Sequence, residues 1–259
     1  MRAKDGVGAI EKACRVLKAM SDGRNTRLTE ISAHCGLDKA TALRVLEILA
    51  REGLVVRDLA SKRYALGPEV ARIARGVGEP VDWSAVVRPS LQRLAGQFED
   101  TALASVVSGL EMVCVDLQVG QYPLRAQFQE VGSRRTLGVG SSGMSVLAAM
   151  PLPERSATLR QIERRLSQYP AITPALIEET IGRAEGRGYA VLVDAVVVRM
   201  GGIAAVVRAP GGRPIGALSV AALAERILDR EAALAAAVMR EAAEVEARLA
   251  AMAPADFVW

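Results

Sequence analysis

Between Ala9 and Leu66 the apolar residues fall into three short helical stripes and then switch to period-two alternation, an order that few folds accept. Ile10, Ala13, Cys14 and Leu17 recur at i, i+3, i+4 and i+7, with Lys12, Arg15 and Lys18 turned away from them. Ser21-Asp22-Gly23 stops this first helix. A second short helix puts Leu28, Ile31 and Cys35 on its buried side, with Thr29 as the expected cap. It ends at Gly36, which accepts left-handed backbone. Asp38 caps a third helix whose inner face is Ala42, Val45, Leu46 and Leu49. Leu54–Arg57 and Arg63–Leu66 then flank Asp58–Lys62 as a hairpin with a polar, basic tip. Two helices across a tight turn, a helix before them and a hairpin behind describe a winged helix-turn-helix.

The outer face of the third helix suits duplex DNA. Its first turns carry Lys39, Ala40, Thr41 and Arg44: short side chains that allow close approach, and two cations that reach a phosphate or a guanine edge. Arg57, Lys62 and Arg63 on the hairpin are placed to follow a phosphate backbone. Charge agrees. Residues 1–80 hold 15 Lys and Arg against 10 Asp and Glu, while the rest of the chain holds 18 against 19.

Gly67-Pro68 opens a connecting helix with Val70, Ile73 and Ala74 on its apolar side, and Gly76–Pro80 marks the domain boundary. The divisions read from sequence are a DNA-binding winged helix over 1–67, a linker helix over 68–80 and a second domain over 81–259. After Trp83 comes a helix with Val87, Leu91, Leu94 and Phe98 on one side and Pro89 in a first turn or kink. Strands are expected at Ala102–Ser108, Met112–Val119 and Leu124–Glu130, then helices at Gly143–Met150, Pro153–Ser167 and Pro174–Arg187, the last capped by Thr173. Tyr189–Val198, Gly202–Ala209 and Ile215–Leu223 are the most apolar strands, and one long helix at Arg226–Met252 closes the chain, with Met239, Val245 and Leu249 read as core. Helices bracketing an antiparallel sheet make the fold class α+β.

Several chemistries are excluded. One histidine, His34, removes HExxH zinc sites and any Ser-His-Asp triad not routed through it, so no metal and no cofactor is expected. Cys14, Cys35 and Cys114 form no CxxC pair, which favours free thiols in a reducing cytoplasm. No apolar run approaches the roughly 20 residues of a spanning helix, and no signal peptide is expected at the start. Gly138-Val139-Gly140-Ser141-Ser142-Gly143 fits GxGxxG, yet prolines follow its helix and no parallel strand comes after. The loop reads instead as backbone amides and hydroxyls at a helix start, able to receive a small anion or simply to make a tight turn. Ser141 and Ser142 lack a base. Asp194 interrupts an apolar strand and is expected at a strand end, on the surface or facing a pocket.

The sequence resembles the IclR-type bacterial transcription regulators. Ile10–Ala19, Leu28-Thr29-Glu30-Ile31-Ser32, Gly36–Thr41 with Arg44 and Leu46, and Arg63–Pro68 carry the resemblance in the first third. Arg88-Pro89-Ser90-Leu91, Val131-Gly132-Ser133, Leu137, Gly143–Ala149, Gly202-Ile203 and Gly216–Val220 carry it through a GAF-like effector domain. The resemblance implies a ligand-responsive repressor or activator, a homodimer or tetramer that reads a palindromic operator in double-stranded DNA and is not an enzyme. Its DNA-contacting set would be Arg27, Thr29, Lys39, Ala40, Thr41, Arg44, Lys62 and Arg63, with Ala40 standing where the family usually has serine. Its effector set would be Leu137, Ser141, Ser142, Asp194, Ala204, Ala205, Ser219 and Ala221, binding a small carboxylate-bearing or aromatic metabolite. The family often has His and Lys where this chain has Gly138 and Met144, and a second serine where it has Ala221; the resemblance thus implies, from Ala221 and Gly138, a pocket that takes a bulkier or less polar ligand. Two readings of other classes stand beside it: an enzyme built on the Gly138–Gly143 loop, and a protein–protein adaptor whose winged helix binds no DNA.

Overall fold

The computed structural model describes residues 8–21, 23–76, 81–124 and 128–252. It divides between Val81 and Asp82 into two compact units.

In the first unit, helices α1 (Ala9–Ala19), α2 (Leu28–Cys35) and α3 (Lys39–Arg51) precede a hairpin of β1 (Val55–Arg57) and β2 (Tyr64–Leu66), followed by α4 (Pro68–Arg75). Val16, Ile31, Leu46, Leu49, Val55 and Tyr64 meet in its core. The hairpin register pairs Val55 with Leu66 and Arg57 with Tyr64. Two expectations are corrected. Helix α1 buries Val16 and Ala19, with Met20 buried at its C-cap and Ala13 and Leu17 packed beside them, and leaves Ile10 (82% exposed) and Cys14 outside. Both stripes have i, i+3, i+4, i+7 spacing, and packing of the helix's later turns selects the second. Thr29 is not the cap of α2. The helix starts one residue earlier, and the Glu30 carboxylate accepts from the Thr26 and Arg27 amides, at 2.9 Å each. Helix α2 does end at Gly36, in left-handed backbone (φ 61°).

The second unit is a six-stranded antiparallel sheet in the order β5-β4-β3-β8-β7-β6, covered on both faces by helices. Its strands are β3 (Thr101–Ser108), β4 (Glu111–Gln118), β5 (Arg134–Thr136), β6 (Tyr189–Val193), β7 (Met200–Arg208) and β8 (Pro214–Leu223). Helices α5 (Trp83–Phe98) and α10 (Glu231–Met252) pack on one face. Helices α6 (Gly140–Ala149), α7 (Leu152–Leu166) and α8 (Pro174–Arg187) cover the other, around Leu137, Met144, Leu147, Ile162 and Ile177.

Five boundaries differ from the sequence reading. Pro89 lies well inside α5 rather than in its first turn. No strand forms at Leu124 or Phe128–Glu130 (125–127 lie outside the described residues), and the third strand is β5. Helix α6 begins at Gly140, three residues early, taking Ser141 and Ser142 into its first turn. Strand β6 stops at Val193, because Asp194 turns left-handed (φ 57°), donates its N–H to Met200 O and accepts from Arg199 N at 2.6 Å. The closing helix is two, α9 (Ala224–Leu228) and α10. Arg226 and Arg230 straddle the break and both reach the buried Asp100, at 3.1 and 2.5 Å. Val245 and Leu249 are core, but Met239 is 36% exposed.

Leu46 is fully buried in the first unit. Leu46→Ala should cost about 2–5 kcal/mol in urea unfolding followed by circular dichroism. A loss below about 1 kcal/mol would place α3 outside the core.

Candidate nucleic-acid interface and ligand cavity

Helix α3 begins at a working cap: Asp38 Oδ1 accepts from Thr41 N at 2.8 Å, a bond that also holds the Asp38 carboxyl below its usual range. With Ala42, Val45, Leu46 and Leu49 buried, the helix turns Lys39, Ala40 and Arg44 to solvent and leaves Thr41 half-buried. Lys39 and Arg44 form no ion pair among the described residues.

The hairpin is fixed to the start of α2. Tyr64 N donates to Thr26 O at 2.7 Å, and the Glu30 carboxyl is held low by the Arg27 and Thr26 amides, with Arg27 and Arg63 adding attraction. Arg27, exposed Thr29 and Arg63 are thus gathered around Glu30. At the tip, Asp58 Oδ1 accepts from Ser61 N and Ser61 Oγ, at 2.6 and 2.8 Å, and Lys62 takes left-handed backbone (φ 57°) with its ammonium exposed. Arg57 lies over the Tyr64 ring, 5.4 Å from its centre.

In the second unit the first turn of α6 rests on β7 and β8 beside a cleft of about 730 Å³, part of it open to solvent. Gly202 sets the approach, since a Cβ there would sit 2.8 Å from Ser141 Oγ. Ser105, Ser141 and Ser219 line the cleft, each more than nine-tenths buried, and their hydroxyls have no partner among the described residues. Leu103, Met112, Leu192, Val196 and Met200 give it apolar walls.

Among the described residues one charged side chain lines it: Arg135 of β5, half-buried, with Nη1 packed near Gly140. Burial lowers the pKa of its guanidinium, opposed by Tyr169 and Cys114. Its strand neighbour Arg134 pairs with Glu111 at 3.3 Å, as Arg165 does at 3.7 Å, while Arg135 forms no ion pair or hydrogen bond among the described residues. The sequence reading missed Arg135. The only available signal was a cation one position along a strand from a paired one, and alternation separates the two faces.

Of the eight expected effector residues, Ser141, Ser142, Ser219 and Ala221 come together on the cleft, and the others do not. Leu137 is fully buried in the core beneath α6. Ala204 is sealed, and Ala205, as its strand neighbour, points to the opposite sheet face. Asp194 is spent on its own turn, and the next three residues, Ala195–Val197, line the cleft instead. Gly138 does not enlarge the pocket: a Cβ there would face Ile162, Leu147 and Ile177 of the core, and Met144 is fully buried. The sheet is antiparallel throughout, so the Gly138–Gly143 loop has no parallel βαβ setting for a dinucleotide. No group of three or more His, Cys, Asp or Glu able to hold a metal occurs among the described residues.

Comparison with known proteins matches both units of the chain to one family. The model of the IclR helix-turn-helix domain matches residues 9–59, and that of the bacterial transcriptional regulator IclR C-terminal domain matches residues 78–247. An HTH-type transcriptional regulator of Mycobacterium tuberculosis is 32% identical over 248 residues, 93% of this chain and 92% of that protein. The glycerol operon regulatory protein of Streptomyces coelicolor is 27% identical, over 85% of this chain and 87% of its own. An IclR homologue from Microbacterium hydrocarbonoxydans, crystallised with 4-hydroxybenzoate, shares the fold with a TM-score of 0.67 at 18% identity, covering 94% of this chain and 100% of that one.

Gly202→Ala drives a methyl against Ser141 Oγ. It should lower the unfolding free energy by about 1–3 kcal/mol, measured in urea, and Ser141→Ala on that background should recover part of the loss. A neutral Gly202→Ala would contradict the close seating of α6.

Proposed function

This chain belongs to the IclR family of DNA-binding transcriptional regulators, whose members are regulators and not enzymes, and on that premise we propose a ligand-responsive regulator of a promoter near its own gene. The observation that carries the DNA contact is the outer face of α3: Lys39, Ala40 and Arg44 exposed, the cations unpaired, on a helix whose inner face is sealed. Short side chains at the helix start admit it to the major groove, where Arg44 reads a guanine edge. Arg27 and Thr29 at the start of α2, with Lys62 and Arg63 on the wing, hold the phosphates on either side.

The active species is a homodimer, or a pair of dimers, on a palindromic operator. Helix α4 supports this: it buries no residue in the single chain, and Ile73 of its apolar side is 55% exposed. The effector occupies the cleft beside α6 and is a small carboxylate-bearing or aromatic metabolite, as 4-hydroxybenzoate is in the homologue's crystals. The connector Pro68–Gly78, of which 77 and 78 lie outside the described residues, transmits its binding to the operator-reading heads. The protein works in the cytoplasm. No helix among the described residues is long and apolar enough to cross a membrane.

Footprinting and fluorescence anisotropy on upstream DNA test the interface. Arg44→Ala should weaken operator binding by about 1–3 kcal/mol and relax base preference at one position in each half-site. Lys62→Ala should weaken all sequences alike and reduce the salt slope by about 1. An unchanged Arg44→Ala footprint would rule out α3 as the reading helix, and no binding at low salt would favour the adaptor.

A further inference from the structure

We propose that Arg135 is the effector's counter-ion, so that the cleft selects a ligand bearing one carboxylate on an apolar body, the carboxylate lying between the guanidinium and the first turn of α6. The inference rests on the reading of this cleft as the effector site and names what that site discriminates.

A guanidinium withdrawn from water without a carboxylate beside it is unfavourable, and a fold keeps one where something else supplies the negative charge. Glu111, the acid that pairs with the adjacent Arg134, is also engaged by Arg165. Among the described residues no Asp or Glu lines the cleft, and the Arg135 charge stands there without a carboxylate partner. The surroundings complete an anion site. Arg135 Nη1 lies near Gly140, the first residue of a ten-residue helix whose N-terminal amides favour negative charge. Ser141 in the same turn and Ser105 and Ser219 on the sheet present unpartnered hydroxyls to the cleft. The remaining wall combines Leu103, Met112, Leu192 and Met200 with the Phe128 ring and the Gln129 amide, fitted to a largely apolar body and offering no second charge among the described residues. Arginine presents its donors in a planar fork that matches a carboxylate, and such charge-assisted bonds are the strong ones.

Isothermal titration of the full-length protein with benzoate and 4-hydroxybenzoate, against benzamide and 4-hydroxybenzamide, tests this at millimolar concentration. The acids should bind the wild type at least about 10-fold more tightly than the amides. Arg135→Gln should abolish that preference, and Arg135→Lys should restore part of it. A second readout separates ligand binding from a structural role. Arg135→Met should leave the ligand-free melting temperature unchanged or raised, because a half-buried charge without a carboxylate partner is removed, whereas an arginine that holds the fold together would lower it. Equal binding of acids and amides, acid binding that survives Arg135→Gln, or no binding of either acid would each overturn the proposal. Upstream DNA binding by wild type and Arg135→Gln, measured without any acid, reports on the regulator reading independently: its retention while acid selectivity fails sinks only the role of Arg135.

Discussion

The seating of one helix on small residues governs the ligand-facing half of this protein. A Cβ at Gly202 would sit 2.8 Å from Ser141 Oγ in the first turn of α6, and Ala204, Ser219 and Ala221 are its small neighbours on the same sheet face. A cleft lies beside the helix start, lined also by Arg135 of β5 and by Ala195–Val197 of the turn after β6. Arg135 then has nowhere to find a carboxylate.

The first unit solves a different problem with similar economy. A small core of Val16, Ile31, Leu46 and Tyr64 is enough to orient α3, because its cap and inner face leave one way for the outer cations to point. The bond from Tyr64 N to Thr26 O ties the hairpin to the start of the helix-turn-helix, so Arg27, Thr29 and Arg63 lie along one joined edge.

Much of this is written in local sequence. Gly36, Asp38, Pro68 and Thr173 each act through backbone geometry or a cap within three residues, and each sits where that chemistry requires. Features decided by distant packing are not readable in the same way. Helix α1 offers two stripes of equal spacing, and only its neighbours choose between them. The apolar run after Tyr189 extends past Val193 as if it were strand, but Asp194 ends it by bonding to Arg199, a contact that hydrophobicity does not encode. The effector site suffers most. Family likeness points to sequence stretches, Leu137–Ser142 and Ala204-Ala205 among them, but burial under α6 and strand alternation keep Leu137, Ala204 and Ala205 off the cleft, and Asp194 is used by its own turn. Arg135 emerges only when the partners of Arg134 and Arg165 are known.

A regulator of this kind requires that its two sites share free energy. The most direct measurement is the affinity for an upstream duplex with and without a saturating acid that fills the cleft, paired with the acid's affinity with and without the duplex. Coupling of the ordinary size, about 1–3 kcal/mol, predicts that both constants move by the same factor, about 5- to 150-fold. If acid and duplex each bind and neither constant moves, the cleft is not a sensor and the account fails.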